Sequence, residues 1–544
     1  MEFTLYQTAS SAACLGVIAH IFYFKHGEHH RQAIYYVGTA AFFPWIASAL
    51  LSRYYGLSIL GAVTYSLVTE WSFALALYTS MLIYRAFLHP LRNYPGPFMA
   101  KTSKFWHSFK AAKMHWYRDV WDLHVQYGEF VRTGPNEVSI TDPQAVDLIH
   151  GPKTKCIKSA WYDMAYPDTS LQFSRDKAEH DKRRRVAWER AFSAKALRNY
   201  DDTVISHADQ LIGAITKFNG KPVNVAKWYN YFTADTMFSL GFGTPVNMLE
   251  TGDDHWTIKI LQDGSKNLAA LGPIPWILCI LSWFPFLAKE NFAAKYWTED
   301  QIRARKNRVV EKDKDLMAWL LKPLEPMSNS AKREEQWLMS DARLAIVAGT
   351  DTSTAALSYT SYHLAKQPEL TAKLRKELIE HHIDKDFSVL RLQDCKHLQS
   401  IIDESMRLHP PVPDGVYRMT PPEGLQIGEH YIPPNVTVIM PTYTVHRSPK
   451  SFEQPNEFIP ERWTSRPELV KDKRSFMPFN VGTYSCVGKQ LALNEIRTVL
   501  AKLILSFDIA FAPGEDGTKL MEETEDYFVL GLADLNLVFT PVKA

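Results

Sequence analysis

The chain has 544 residues, 46% of them hydrophobic and 22% charged, a globular composition that excludes general disorder. Its 61 Lys and Arg against 59 Asp and Glu give no concentrated basic footprint, so nucleic acid is not an expected partner. Five widely spaced cysteines (Cys14, Cys156, Cys279, Cys395 and Cys486), with no C-x-x-C pair, argue against a disulfide framework or structural zinc and for a reducing compartment.

The first ninety residues are the most apolar, with runs at Leu15–Phe24, Ile34–Leu51 and Leu57–Phe87. A spanning helix needs about 20 apolar residues. The first run is marginal, the second fits and the third is long enough, so two or three transmembrane helices are expected over residues 1–90. No basic stretch precedes the first run and no clear small-residue cleavage site follows, which reads as an uncleaved anchor. Arg85, Arg92, Lys101, Lys104, Lys110 and Lys113 follow the third run and mark a cytosolic flank. With three spans the Lys25–Arg31 loop is cytosolic as well. Its His26, His29 and His30 read as a solvated loop, because no carboxylate or cysteine completes a ligand set.

His89–Pro97, with three prolines and a glycine, ends the last helix. Residues 91–544 read as one domain, helical in pattern, with β-like stretches at Glu137–Thr141, Tyr431–Met440 and Leu535–Thr540. The proline-broken apolar segment Leu271–Leu287 reads as core, with a membrane-surface or access-channel role as the alternative.

A long helical segment, Asp341–Lys366, contains Ala348-Gly349-Thr350-Asp351-Thr352-Ser353. Mid-helix glycine costs about 1 kcal/mol against alanine, and a Thr–Asp pair is unusual in a core helix. The stretch is either a functional site or a polar face with a packing glycine. Glu404 and Arg407 then stand at i, i+3, where they can pair on a helix, as solvated pairs often do. Pro460-Glu461-Arg462-Trp463 follows. Phe479-Asn480-Val481-Gly482-Thr483-Tyr484-Ser485-Cys486-Val487-Gly488-Lys489 sets a cysteine between two glycines, just ahead of the apolar-periodic Gln490–Leu505. Such a loop presents sulfur at a helix N-terminus, where backbone N–H groups and the helix dipole favour thiolate. Its small neighbours let the backbone approach a flat cofactor. By itself the loop also suits a nucleophile or a buried bystander.

Together, and in this order, these motifs resemble the cytochrome P-450 family over about Tyr94–Phe539. Phe479, Gly482, Cys486 and Gly488 match that family's cysteine signature, which implies Cys486 as the axial thiolate of haem b and favours oxygen–oxygen cleavage. Tyr484 stands where most members carry a propionate-binding arginine, leaving only an uncharged hydroxyl contact. The helix motif resembles the family's oxygen-binding helix. By that resemblance Gly349 makes room over the iron, Thr352 hydrogen-bonds the oxygen under activation and Asp351 relays protons to it. Glu404, Arg407 and Arg462 resemble the buried clamp behind the haem, in which losing one member strands a charge. Arg185, with Arg184 as runner-up, and Arg418 resemble propionate-binding arginines. The tryptophan usual four residues before the first is absent, and Asp181 stands there. His446-Arg447 resembles a recurrent structural stretch. By position, Trp161–Tyr166, Ala345, Ala348, Pro413–Val416 and Phe528 are pocket candidates.

The resemblance implies a mainly α fold with small β-sheets and a haem monooxygenase acting on a lipophilic small molecule. Electrons would come from NADPH through a separate flavin reductase, since the chain has no Rossmann fingerprint, with cytochrome b5 as a further candidate donor. The expected location is the endoplasmic reticulum membrane, catalytic domain toward the cytosol. The several spans and the wording of the cysteine loop look similar to filamentous-fungal members serving secondary metabolism, which suggests a terpenoid, polyketide or alkaloid substrate. Two other readings stand beside this one. The first is a haem-thiolate isomerase, dehydratase or coupling enzyme; the second is a non-catalytic, membrane-tethered haem-binding protein. Asp351 and Thr352 favour oxygen activation.

Overall fold

The computed structural model describes residues 4–284, 286, 289–308, 315–323 and 330–542. Three N-terminal helices, α1 (Leu5–Ala19), α2 (Ala33–Tyr55) and α3 (Ile59–Ile83), are long and apolar enough, with their short extensions, to cross a membrane. α1 and α2 pack against α3. Phe42, Trp45, Tyr54, Ile59 and Trp71 leave large apolar surfaces uncovered, as helices facing lipid do. Ser58 caps α3 by accepting from the Gly61 N–H at 3.2 Å. At the far end, Pro90 opens a tight turn in which the Leu91 N–H donates to His89 Nδ1 at 3.1 Å.

The remaining chain is mainly helical. The helices that position the site are α4 (Lys177–Arg183), α5 (Ala194–Lys217), α6 (Val225–Phe242), α7 (Trp256–Leu271), α8 (Pro275–Leu281), α9 (Ala331–Lys366), α10 (Lys396–Leu408) and α11 (Lys489–Ser506). α9, 36 residues long, runs through the middle, and from Trp337 to Ala365 most of its side chains are buried. Its buried residues include many hydroxyls, and those of Thr350, Thr354 and Thr360 are satisfied by donating to carbonyls four residues back along the helix. α6, α10 and α11 pack around it. The expected segment Asp341–Lys366 is the C-terminal part of α9, and the expected Gln490–Leu505 is α11.

Strands β1 (Phe130–Gly134), β2 (Glu137–Ile140) and β3 (Ile157–Lys158) share a sheet, while β4 (Val223–Asn224) starts another. The chain returns with β5 (Tyr417–Met419) and β6 (Thr437–Ile439) to the first, and with β7 (Phe507–Phe511) and β8 (Asn536–Pro541) to the second. The first sheet has the order β1-β2-β6-β5-β3, and the second β4-β8-β7. The antiparallel register of β3 and β5 sets Lys158 opposite Arg418. The expected stretches at Glu137–Thr141 and Leu535–Thr540 correspond to β2 and β8. Tyr431–Met440 is two strands: His430–Ile432 pairs with Leu425–Ile427, and the chain enters β6 only after a turn. Pro433 and Pro434 cannot donate to a ladder, and Asn435 turns the chain at φ 57°.

Leu271–Leu287, read as core, is so only in part, and some of it lies outside the described residues. Ile274 and Cys279 are buried, whereas Trp283 and Phe286 are exposed. α8 packs against α2 and against the 3-10 turn Ala160–Ala165.

Candidate active site

The cysteine loop closes on itself: the Cys486 N–H donates to the Phe479 carbonyl at 2.8 Å. Gly482 sits at φ 70°, and a side chain there would overlap the backbone of His150 and Gly151, so only glycine fits. A Cβ on Gly488 would stand 3.9 Å from the Cys486 sulfur and 3.6 Å from Phe192, which is ordinary contact. Phe479 packs on the main core with the Lys489 ammonium 5.7 Å from its ring centre. Cys486 is exposed, whereas Cys156, Cys279 and Cys395 are buried. Burial of its sulfur among protein atoms nevertheless pushes the thiol up, against the N–H groups of Gly488 and Lys489 and the charge of Arg184. The N–H groups that favour thiolate in the sequence reading are thus present, and desolvation opposes them. A metal cation held by the sulfur would supply the remaining charge.

On α9 three open positions line up: Leu344 and Thr352 are half-buried and Ala348 is exposed, at i, i+4 and i+8. This row is a part of an otherwise buried helix that is left open to another molecule. The Thr352 hydroxyl donates to the Ala348 carbonyl at 2.6 Å. Two expectations are corrected here. A Cβ on Gly349 would come within 2.5 Å of Met237 Sδ, so this glycine faces α6 and lets it close on α9, as the packing-glycine alternative has it. Ala345 is buried, and Leu344 holds the place in that row. Helical rotation of about 100° per residue accounts for both. Asp351 points to the back of α9, where its Oδ1 accepts from Asn230 at 3.4 Å and Gln262 at 3.3 Å. Burial pushes this carboxyl up to about 6.

Glu404, Arg407 and Arg462 are fully buried together. Arg407 donates to both Glu404 oxygens at 2.8 and 2.9 Å, Arg462 donates at 2.8 Å, and the Trp463 indole adds a bond of 3.0 Å. The remaining guanidinium N–H groups go to carbonyls, among them His446, Pro455 and Glu453. His446 carries this network to the cysteine loop. Its Nε2 accepts from the Met477 N–H at 3.0 Å, so Nδ1 carries the proton facing the Arg407 carbonyl at 3.2 Å. Burial and the Arg407 charge push His446 down to about 3, which keeps it neutral. His446 thus has the structural role read for it, holding Met477, two residues before Phe479.

Basic side chains gather at Tyr484. The guanidinium carbon of Arg418 lies 4.6 Å from its ring centre, Lys158 Nζ lies 5.3 Å away and the His180 ring 4.7 Å away. Arg184 donates to the Ser485 carbonyl at 2.7 Å and pairs with Glu189 at 2.9 Å. Arg185 is exposed, so the arginine at the loop is Arg184. The residue four before it is His180, on the same face of α4, which explains why the tryptophan offset fell on Asp181. Lys158 was missed as well; its strand is only two residues long, and only the β3–β5 register brings it to the loop. The Tyr484 hydroxyl and Arg418 Nε are buried with no partner among the described residues. Orphaned donors among excess cations suit a dianionic cofactor edge, and the two carboxylates of haem b have that chemistry.

Trp161 stacks on Tyr417 at 4.8 Å and meets Phe528 at 5.0 Å, forming an aromatic wall. Phe528 adopts φ 83°, unusual for a bulky residue. Two residues after Trp161, Asp163 accepts from His30 at 2.6 Å, from Arg31 at 2.5 Å and from Arg175 at 2.6 Å, and Arg175 also holds Glu28 at 2.7 Å. Burial would raise the Asp163 carboxyl, but these bonds outweigh it and hold it well below the usual range. A carboxylate therefore does meet the histidine loop, as a salt-bridge partner supplied by the fold from 133 residues away.

Residues 95–536 match the family model described as cytochrome P-450. The chain is 36% identical over 540 residues to tryprostatin B 6-hydroxylase of Neosartorya fischeri, covering 98% of each chain. It is 36% identical to cytochrome P-450 monooxygenase FCK2 of Fusarium pseudograminearum, covering 97% of this chain and 96% of the relative. With cytochrome P-450 monooxygenase notG' of Aspergillus versicolor the identity is 37%, over 96% of each.

Proposed function

The chain belongs to the cytochrome P-450 family and is a haem-dependent monooxygenase; on that premise we propose that Cys486 is the thiolate ligand and that the substrate is a lipophilic fungal secondary metabolite. The observation that supports the ligand assignment is the Cys486 sulfur, faced by the Gly488 and Lys489 N–H groups, beside Arg418 and Tyr484, whose Nε and hydroxyl have no partner among the described residues.

Haem b, when bound, supplies oxygen activation with electrons from a redox partner. The chain's own residues orient it and manage protons. Arg184, Arg418 and Tyr484 take the carboxylates, and the cysteine loop, braced through His446, fixes the sulfur. Thr352, in the open row of α9, turns its hydroxyl from the Ala348 carbonyl toward that opening. Asp351 holds an exchangeable proton on the other side of that turn. Glu404, Arg407 and Arg462 form the scaffold.

The redox partner in this reading is an NADPH-dependent flavin reductase, with cytochrome b5 as a second donor. The anchor, residues 1–90, places residues 91–544 at the cytosolic face of the endoplasmic reticulum. The contact of His30 and Arg31 with Asp163 supports α2 and α3 crossing as a pair, since it needs the first loop on the catalytic side, and the length and apolarity of α1 support a third span. Among terpenoid, polyketide and alkaloid skeletons, the wall of Trp161, Tyr417 and Phe528 favours a flat aromatic one, as in an alkaloid.

The test is the carbon-monoxide difference spectrum of the reduced protein beside Cys486→Ser. A red-shifted Soret band lost in the variant supports the assignment. A histidine-type band that survives the substitution removes it.

A further inference from the structure

We propose that Lys158 is a cofactor-carboxylate-binding residue that supplies, from the neighbouring sheet, the charge missing from the cysteine loop at Tyr484. The inference rests on the haem-thiolate reading of Cys486 and extends it to how this chain compensates for its departure from the loop pattern.

The sheet register sets Lys158 directly across from Arg418. Like charges opposed on neighbouring strands repel, and both residues are nearly inaccessible, at 2% and 1% exposure. Among the described residues, neither pairs with a carboxylate. The Lys158 ammonium donates to the carbonyls of Leu171 at 2.7 Å and Gln172 at 2.8 Å, which leaves one of its three N–H bonds unassigned. Arg418 donates to the Tyr162 hydroxyl and the Tyr417 carbonyl, both at 3.1 Å, while its Nε has no partner. The two cations lie 5.3 and 4.6 Å from the Tyr484 ring centre. The Tyr484 hydroxyl beside them is also buried without a partner. Two opposed buried basic groups and two orphaned donors meeting at one ring are satisfied together by an anion, which would also hold the proton on Lys158 against the burial and the Arg418 charge that push it well below its usual value. Tyr484 fits as the flat spacer between them and donates its own hydroxyl. An arginine at position 484 would add a third cation to the same place, so Lys158 and Tyr484 act as a matched pair, one carrying the charge and the other making room for it.

The experiment uses the full-length holoprotein in detergent and follows haem transfer to excess apomyoglobin, with thermal midpoints of the haem-free and haem-loaded forms. Lys158→Met should release haem about ten-fold faster, the loss of one charge-assisted hydrogen bond, while the haem-free form keeps or gains stability. Lys158→Met combined with Tyr484→Arg should return the release rate toward that of the parent. Unchanged release in Lys158→Met, or a haem-free form destabilised as much as the loaded one, would mean that Lys158 only clamps the Leu171 and Gln172 carbonyls, and the proposal falls. If Lys158→Met does not accumulate, the double variant decides: parental haem retention supports the relocated charge, and failure of the double variant as well overturns it. Failure of the underlying reading is separate, because it shows in the parent protein as a carbon-monoxide band indifferent to Cys486→Ser.

Discussion

The Ser353 hydroxyl donates to Glu495 Oε2 at 2.9 Å, tying the helix that carries Thr352 to the helix that begins beside Cys486. Glu495 is 1% exposed, its second oxygen has no partner among the described residues, and burial pushes it up to about 8 from an ordinary 4.5. Between those values the folded chain keeps a proton that the unfolded chain has released. Stability contributed at this site therefore falls as pH rises from about 4.5 to about 8, by roughly 1.4 kcal/mol per unit, and stays low above. Glu495→Gln should remove that slope, giving a higher melting temperature than the parent at alkaline pH and a similar one near pH 5. Parallel melting curves for parent and variant across pH would contradict a neutral Glu495.

Arg184→Ala should lower the haem-to-protein ratio and speed haem loss, while Arg185→Ala leaves both near parental values. Arg184 reaches the Ser485 carbonyl, immediately before the cysteine, whereas Arg185 projects outward. The two variants, scored by absorbance of the extracted haem, separate neighbouring arginines that sequence pattern alone ranked the other way.

Removing one member of the Glu404–Arg407–Arg462 clamp strands a buried charge, at a cost of about 3–5 kcal/mol. Arg407→Ala or Arg462→Ala should yield protein that fails to retain haem even when haem is supplied in excess. Haem content and protease resistance of the purified variant are the readouts. Normal loading of either variant would show that the clamp does not support the cysteine loop.

Thr352→Ala should keep haem and the carbon-monoxide band but release peroxide at the expense of product. Asp351, pushed up to about 6, is protonated below that pH and ionised above it. The coupling of NADPH use to product should therefore change through about pH 6 in the parent and lose that inflection in Asp351→Asn. Coupling unaffected by either substitution would count against the proton role of this turn.

Much of this was legible in the sequence because local rules decide it. The lipid-facing helices follow from apolar length, α9 and α11 from periodicity, and the Cys486 loop from glycines whose positions backbone approach dictates. What sequence did not give depends on distant pairing. Lys158 reaches Tyr484 only through strand register, His446 finds Met477 only when the clamp closes, and Asp163 meets His30 only after the anchor docks. Gly349 was placed on the wrong side because one residue of helical rotation separates it from Ala348, and motif spacing does not measure rotation.

The salt bridges from Glu28, His30 and Arg31 to Arg175 and Asp163 make the anchor part of the catalytic domain's own architecture. Asp163 belongs to the turn that also presents Trp161 to Tyr417 and Phe528. A soluble truncation beginning after α3 would delete Glu28, His30 and Arg31, three of the five partners, and release the segment that shapes the aromatic wall. Such a shortened enzyme could fold and carry haem, yet its turnover and selectivity would describe a different pocket. The N-terminal segment and the rest of the chain are therefore best engineered as one piece, because another chain's N-terminus would not bring Glu28, His30 and Arg31 to Arg175 and Asp163.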